Sequence, residues 1–333
     1  MNLPNLYHRR GKYEEAEPLY QRALRIRELV LGLQDGLLAS PLYNLAELYR
    51  RQGRYEEAEP LYQRALSIGK QAFGPEHMEV GYSLNGLAML CAEQGKDEEA
   101  ELLYQQALQI WEKTLGPEHT FVAYPLINLG EIFVRQRKYE EAKPFYQRAL
   151  QILERVLGAN HELIAHPLYG LGECCREQGK YEEAESFYQR ALVIREQMLG
   201  TKHSDVAESV QGLALLYTEQ GKYKEADLFF QRTLVIRQQR LGPQHSLVAE
   251  TLHHFARFHE LQQHVPEALS FYQQALTIRE QALGLHHPKT NTTRTAYTHL
   301  LREQGRIEEA ETIEAQAQLS VSSSPIAHAV DHI

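Results

Sequence analysis

"GKYEEAEPLYQRALRIRELVLG" occupies Gly11 to Gly32 and returns as "GRYEEAEPLYQRALSIGKQAFG" from Gly53 to Gly74. It recurs from Gly95, Arg137, Gly179 and Gly221, then more loosely from Gln263 and Gly305, always 42 residues on. A fixed period without insertion marks a solenoid, whose repeats bury their apolar faces only against their neighbours. The chain of 333 residues is therefore read as one repeated body and not as two or three domains.

Each repeat holds two helical patterns. In "MEVGYSLNGLAMLCAEQ", residues 78 to 94, the apolar positions Val80, Leu84, Leu87, Ala88 and Cys91 fall on one helical face. Gly95 ends that helix. The second helix starts near Glu98, where acidic residues suit the helix dipole, and stops at Gly116. Its inward stripe is Ala100, Leu103, Tyr104, Ala107 and Ile110. The short link makes the two helices pack antiparallel. A small residue sets their approach: Ala16, Ala58, Ala100, Ala142, Ala184, Ala226, Ala268 and Ala310 share one position. Ala46, Ala88, Gly130, Gly172, Ala214 and Ala256 do the same on first helices. Tyr20, Tyr62, Tyr104, Tyr146, Tyr188, Phe230 and Tyr272 fill the gap.

The bulk composition narrows the function. At 43% hydrophobic and 24% charged, the chain has material for a core. A net charge of -9 argues against nonspecific nucleic-acid binding, which needs a basic surface. No apolar run reaches the roughly 20 residues of a membrane span, and the N-terminus has no signal-peptide core. Cys91, Cys174 and Cys175 make no disulfide framework, so we expect a reducing, cytoplasmic setting. Vicinal Cys174 and Cys175 read as small buried residues of a helix.

The order Leu42, Leu45, Ala46, Tyr49, then Ala58, Tyr62, Ala65, resembles the tetratricopeptide repeat (TPR) signature, whose usual unit is about 34 residues. The 42-residue period, the "LGxxH" link and "HPKTNTTRT" at 287 to 295 resemble the repeats of kinesin light chain. The resemblance spans residues 1 to 319 and implies an all-α fold, a right-handed α-solenoid superhelix of antiparallel helix pairs. Eight units are expected: 1–35, truncated, then 36–77, 78–119, 120–161, 162–203, 204–245, 246–287 and 288–319. A disordered tail is expected over 320–333.

Three features depart from the pattern. Pro41, Pro125 and Pro167 fall early in first helices, where a missing amide costs little. Pro18, Pro60 and Pro144 sit over one turn into second helices, where each is expected to forfeit a backbone bond and bend the helix. "NLPNLYHRRG" matches only the second half of a first helix, so we expect a fragment or a misplaced start. Self-association through that uncapped repeat follows as an expectation. Glu314 and Gln318 replace the apolar residues of the last helix and suit a terminal, water-facing repeat.

Catalytic and cofactor chemistry finds no foothold in the residues. His77, His119, His161, His203, His245 and His287 recur at the period, with Asp35 in the first place. Stacked repeats lie about 8–10 Å apart per helix layer, too far for ligands that zinc needs at about 2 Å. These histidines are read as joining each link to the next helix. There is no phosphate-binding loop, and "GLG" at 170 to 172 lacks a preceding strand. No metal or cofactor is expected, and the chain is read as a non-enzyme.

In the TPR family first helices line the concave face, and the resemblance implies a peptide-binding groove there. Carried onto this chain, Tyr82, Tyr124 and His166 lie at one level, and Tyr43, Asn85, Tyr169, Gln211 and His253 at the next. Asn44, Asn128 and His254 follow, then Glu47, Met89, Glu131, Glu173 and Arg257. Asparagine offers both donor and acceptor to a peptide backbone, and tyrosine gives contact area at low entropy cost. The part holding His253, His254, Arg257 and His299 is expected to become more cationic at low pH. The outer face repeats Arg22, Arg64, Arg148, Arg190 and Arg232, with Arg195, Arg237 and Arg279 one turn on, read as a salt-bridged surface.

The expected function is a scaffold that holds an extended segment of a partner protein in its concave groove. The alternative is the sensor arm of a larger signalling protein, such as a STAND-type ATPase, with its catalytic domain N-terminal to these residues.

Overall fold

The computed structural model describes residues 13–322, with side chains over 15–317. The described residues contain α-helices and two short 3-10 turns, and no strand. None of the helices is long and apolar enough to cross a membrane. The chain divides into two compact units, Met1–Gly179 and Lys180–Ile333.

The first unit holds α1 (Tyr13–Leu31), α2 (Ala39–Arg51), α3 (Tyr55–Phe73), α4 (Met78–Glu93), α5 (Asp97–Leu115), α6 (Thr120–Arg135), α7 (Tyr139–Leu157) and α8 (Ala165–Glu177). Helices α2 with α3, α4 with α5 and α6 with α7 form the expected pairs, and each pair packs on the next. The partial helix expected over 1–10 lies outside the described residues.

The second unit holds α9 (Tyr181–Leu199), α10 (Ser204–Glu219), α11 (Tyr223–Leu241), α12 (Ser246–Leu261), α13 (Val265–Leu283), α14 (Pro288–Glu303) and α15 (Ile307–Ser322). Its pairs are α10 with α11, α12 with α13 and α14 with α15. Each unit is thus an all-α stack of helix pairs. Helix α15 runs through residues 320–322, and the rest of the expected tail lies outside the described residues.

Core positions follow the period. All eight repeated alanines are fully buried, and the aromatic position from Tyr20 to Tyr272 is buried in every repeat. In the first unit Tyr146 lies between two glycines: an added Cβ would meet its ring at 2.7 Å from Gly130 and 2.3 Å from Gly170. Cys174 and Cys175 are buried, and burial pushes the Cys174 thiol up to about 12, as small apolar residues of a helix would behave.

The recurrent histidines are helix N-caps. Each accepts, through Nδ1, the backbone N–H two residues on, at 3.3 Å in His77, 3.2 Å in His119 and 3.1 Å in His245. Asp35 does the same for Leu37 at 2.8 Å. An N-cap acceptor satisfies an amide that the helix itself cannot. The expected structural role of these rings is therefore a specific hydrogen bond.

First helices close on a left-handed residue. Gly95 has φ +77°, and Lys96 then donates its N–H to the Cys91 carbonyl at 2.9 Å, a Schellman-type closure. Arg137 and Gln263 hold the same conformation at φ 60° and 61° without being glycine. The deep prolines do not break their helices. Those with Pro18, Pro60 and Pro144 run 19 residues, as does α5 without one. All three prolines are exposed, so water can meet the carbonyl each leaves unpaired.

Candidate functional site

The periodic positions on the first helices hold different chemistry in the two units. In the first unit they carry a chain of aromatic rings. Tyr43 of α2 meets Tyr62 edge-on at 5.6 Å and Tyr82 of α4 at 6.1 Å. Tyr82 in turn meets Trp111 and Phe121, both at 5.2 Å, and Phe121 meets Tyr124 of α6 at 6.2 Å. The structure therefore brings Tyr43, Tyr82 and Tyr124 together through rings that the sequence reading did not single out. Burial raises all three phenols, Tyr82 to about 12, so each keeps its proton.

Trp111 anchors this row. It is buried, and its Nε1–H donates to the Met78 carbonyl at 3.2 Å. The indole fits because residue 81 is glycine, where an added Cβ would lie 2.4 Å from Nε1. The period gave the signal: the equivalent position is alanine in Ala123 and Ala165, where no tryptophan faces it.

The three asparagines differ. Asn85 is 6% exposed; its Nδ2 donates weakly to Met89 Sδ at 3.6 Å, and its Oδ1 accepts nothing. A buried amide oxygen without a donor costs about 1–3 kcal/mol. It sits one position before Asn44 and Asn128 in the period, at the place of Tyr43. Asn44 and Asn128 are half-buried, and neither side chain is hydrogen-bonded within the described residues. Tyr169 is half-buried on α8.

Glu47 is not an open groove residue. Arg50 donates to it at 2.9 and 2.7 Å, Arg51 at 2.7 Å and the Tyr62 hydroxyl at 2.9 Å. Burial alone would raise this carboxyl, but the two guanidiniums hold it down at about 2. Arg50 also pairs with Glu93.

The second unit is built on buried arginines, which corrects their assignment to an outer face. Arg195, Arg237 and Arg279 are 1%, 4% and 4% exposed. Their position faces the following first helix, where each guanidinium reaches a hydroxyl: Ser209 at 2.7 Å, Thr251 at 2.9 Å, and Thr293. In the first unit this place is held by the exposed Arg27, then Gly69, Trp111 and Leu153, which is why the period alone did not expose the change. Of the outer set, Arg64 and Arg148 do form surface pairs, with Glu28 at 2.6 Å and Glu112 at 2.5 Å.

His253 is buried beside Tyr272 and His254, both 5.6 Å away, with Nδ1 3.3 Å from Thr293 Oγ1. Burial first, then the nearby cations, lower its pKa to about 3. It therefore stays neutral in mild acid, against the expectation that it adds positive charge. His254 is half-buried, and Arg257, one turn further on α12, is exposed. Beside them, an open depression of about 550 Å³ is lined on α14 by Asn291, Thr292, Thr295, Ala296 and His299.

Comparison with known proteins agrees with this architecture. The tetratricopeptide repeat model matches residues 1–71, 37–113, 103–155, 121–197, 163–239, 205–281 and 247–318. The chain belongs to the tetratricopeptide repeat family. Among solved structures it is similar to BtubC (BKLC) from P. vanneervenii, at 25% identity and TM-score 0.56, over 69% of this chain and 92% of that one. It is also similar to a putative kinesin light chain of Podosopora anserina with nearly identical TPR-like repeats, at 23% identity and TM-score 0.50, over 61% and 96%. A Rap protein complexed with competence and sporulation factor shares the fold at 16% identity and TM-score 0.65, over 95% and 94%. None of the curated proteins matches the chain. The fold is that of a kinesin-light-chain-like TPR protein, a protein-interaction scaffold.

Proposed function

We propose that this scaffold is non-catalytic and holds an extended peptide segment of a partner protein on its first helices. Asn85 carries the proposal: its buried Oδ1 lacks a donor, and a peptide N–H is the group that would satisfy it. Tyr43, Tyr82 and Tyr124 supply rigid contact area beside it, and Asn44 and Asn128 are uncommitted amides on neighbouring first helices. In the second unit His253, His254 and Arg257 occupy the matching positions and form that unit's own proposed contact surface. The setting is cytoplasmic, where the buried thiols stay reduced.

Affinity capture from native lysate tests this, with the whole chain beside its N44A/N85A/N128A variant and peptide mapping of what is held. Retention by the wild type and at least tenfold loss by a variant of equal helicity supports the surface. Equal retention by both refutes it.

Self-association has a separate basis in α1, where Ile26, Leu29 and Val30 are exposed on one face. Sedimentation of the wild type and of Leu29→Lys measures it; identical monomeric masses would dismiss it.

A further inference from the structure

We infer that Arg279 receives the carboxylate of a bound ligand, entering from solvent beside Thr292. Three arginines of the second unit, Arg195, Arg237 and Arg279, share the repeat position that the exposed Arg27 holds in the first. Each reaches a hydroxyl fourteen residues on, and thirteen residues on stand Glu208, Glu250 and Thr292. The first two are acids and complete an ion pair: Glu208 lies 2.5 Å from Arg195, and Glu250 3.5 Å from Arg237. The third is threonine, and among the described residues no carboxylate lies within ion-pair distance of Arg279.

Arg279 is nevertheless as buried as Arg237. It donates to the Lys289 carbonyl at 2.7 Å and to Thr293 Oγ1; its Nε, like that of Arg237, has no acceptor, so the missing carboxylate is what sets Arg279 apart. A buried charge without a counter-charge is costly, and the cost is relieved when an anion supplies the missing half. Glu250, the acid that bears on it through space, is already held by Arg237, by Lys289 at 3.4 Å and by Gln211 at 3.2 Å.

The two completed pairs show that the route is open. Glu208 and Glu250 keep 41% and 22% of their side chains in solvent while reaching their arginines. A ligand carboxylate at the place of residue 292 can make the same approach. Thr292 lines the depression described above, and the one acid on its lining, Glu260, accepts the Tyr272 hydroxyl at 2.5 Å. A carboxylate forms a planar, bidentate match to a guanidinium. It comes from an acidic side chain or from a chain terminus. The proposal rests on the peptide-binding reading only for the natural source of that group, so small probes test the site by itself.

The full chain, labelled with nitrogen-15 in arginine, reports on the Arg279 Nε–H resonance, assigned with Arg279→Lys. Three glycine-based pentapeptides are titrated: one blocked at both ends with a central glutamate, one without glutamate but with a free C-terminus, and a blocked glutamine control. Saturable movement by either carboxylate peptide, and none by the control, supports the site and names the source. Thr292→Glu, an exposed substitution, supplies the acid internally; it is expected to raise the melting temperature and weaken probe binding at least tenfold. A resonance unmoved by both carboxylate peptides, or unchanged binding by Thr292→Glu, overturns the proposal. Neither result bears on the asparagines of the first unit, which the capture experiment tests separately.

Discussion

Arg50 donates to Glu47 through Nε at 2.9 Å and through Nη2 at 2.7 Å, and both side chains are buried. Two charges removed from water survive there because each satisfies the other and Tyr62 and Arg51 complete the set. Glu47→Gln leaves Arg50 with Glu93 alone. The expected loss is about 3 kcal/mol by urea denaturation at neutral pH. The native carboxyl is held at about 2, below its unfolded value. Its contribution is therefore present above about pH 4.5 and lost as pH falls toward 2. Glu47→Gln should show a flatter stability profile over that window.

Arg137 and Gln263 occupy backbone that their period-mates fill with glycine. A side chain in the left-handed region costs about 1–2 kcal/mol. Arg137→Gly and Gln263→Gly should each stabilise the fold by about 1 kcal/mol, because relief of strain exceeds the added chain entropy. Thermal denaturation of the single and double variants measures this, and the two gains should add.

The histidine caps accept through a ring nitrogen that must be unprotonated. His245 and His287 have pKa values lowered, first by burial and then by nearby arginine or lysine. A lowered native value means that the stability they give is full above the unfolded pKa of about 6.5 and is lost as pH falls below it. His245→Ala should cost about 1 kcal/mol at pH 8. His245→Asn keeps an acceptor that cannot protonate, so it should retain stability at pH 8 and lose less than the wild type at pH 5. Melting temperatures at the two pH values give the comparison.

Gly81 and Trp111 form a matched pair. A Cβ at residue 81 would lie 2.4 Å from the indole nitrogen, so Gly81→Ala overpacks the core at a cost of about 1–3 kcal/mol. Trp111→Leu installs the residue that Leu153 holds one repeat later. The double variant Gly81→Ala/Trp111→Leu should lose less than the sum of the singles. A coupling energy near zero by denaturant titration would show that the two do not touch.

The helix pairs were legible because small and large residues recur at one spacing, and burial follows that spacing through every alanine from Ala16 to Ala310. The candidate surface was legible only in part. Residue type placed Tyr43, Tyr82 and Tyr124 on successive first helices, but Trp111 and Phe121, which join their rings, stand where arginine and leucine recur in other repeats and no other repeat carries an aromatic. Arg237 shows a different limit. Arginine at the end of a charged-looking helix reads as a surface residue, and its burial is offset by partners distant in sequence, the Thr251 hydroxyl, the Gln211 amide oxygen at 2.8 Å, the Leu247 carbonyl and Glu250. Those partners lie on other helices. His253 was misread in the same way, since nothing local reveals the desolvation that keeps it neutral.

Each helix junction is closed by bonds of very short reach, the cap from His77 to Glu79 and the closure from Lys96 to Cys91 among them. The period has no insertion, so removing residues 97 to 138 would join Lys96 to Tyr139 in the same local context. Both ends of the cut would re-form closures already present elsewhere in the chain. The helix pair is thus an exchangeable module, and the number of such modules is a length that can be shortened or extended in whole steps without rewriting any turn.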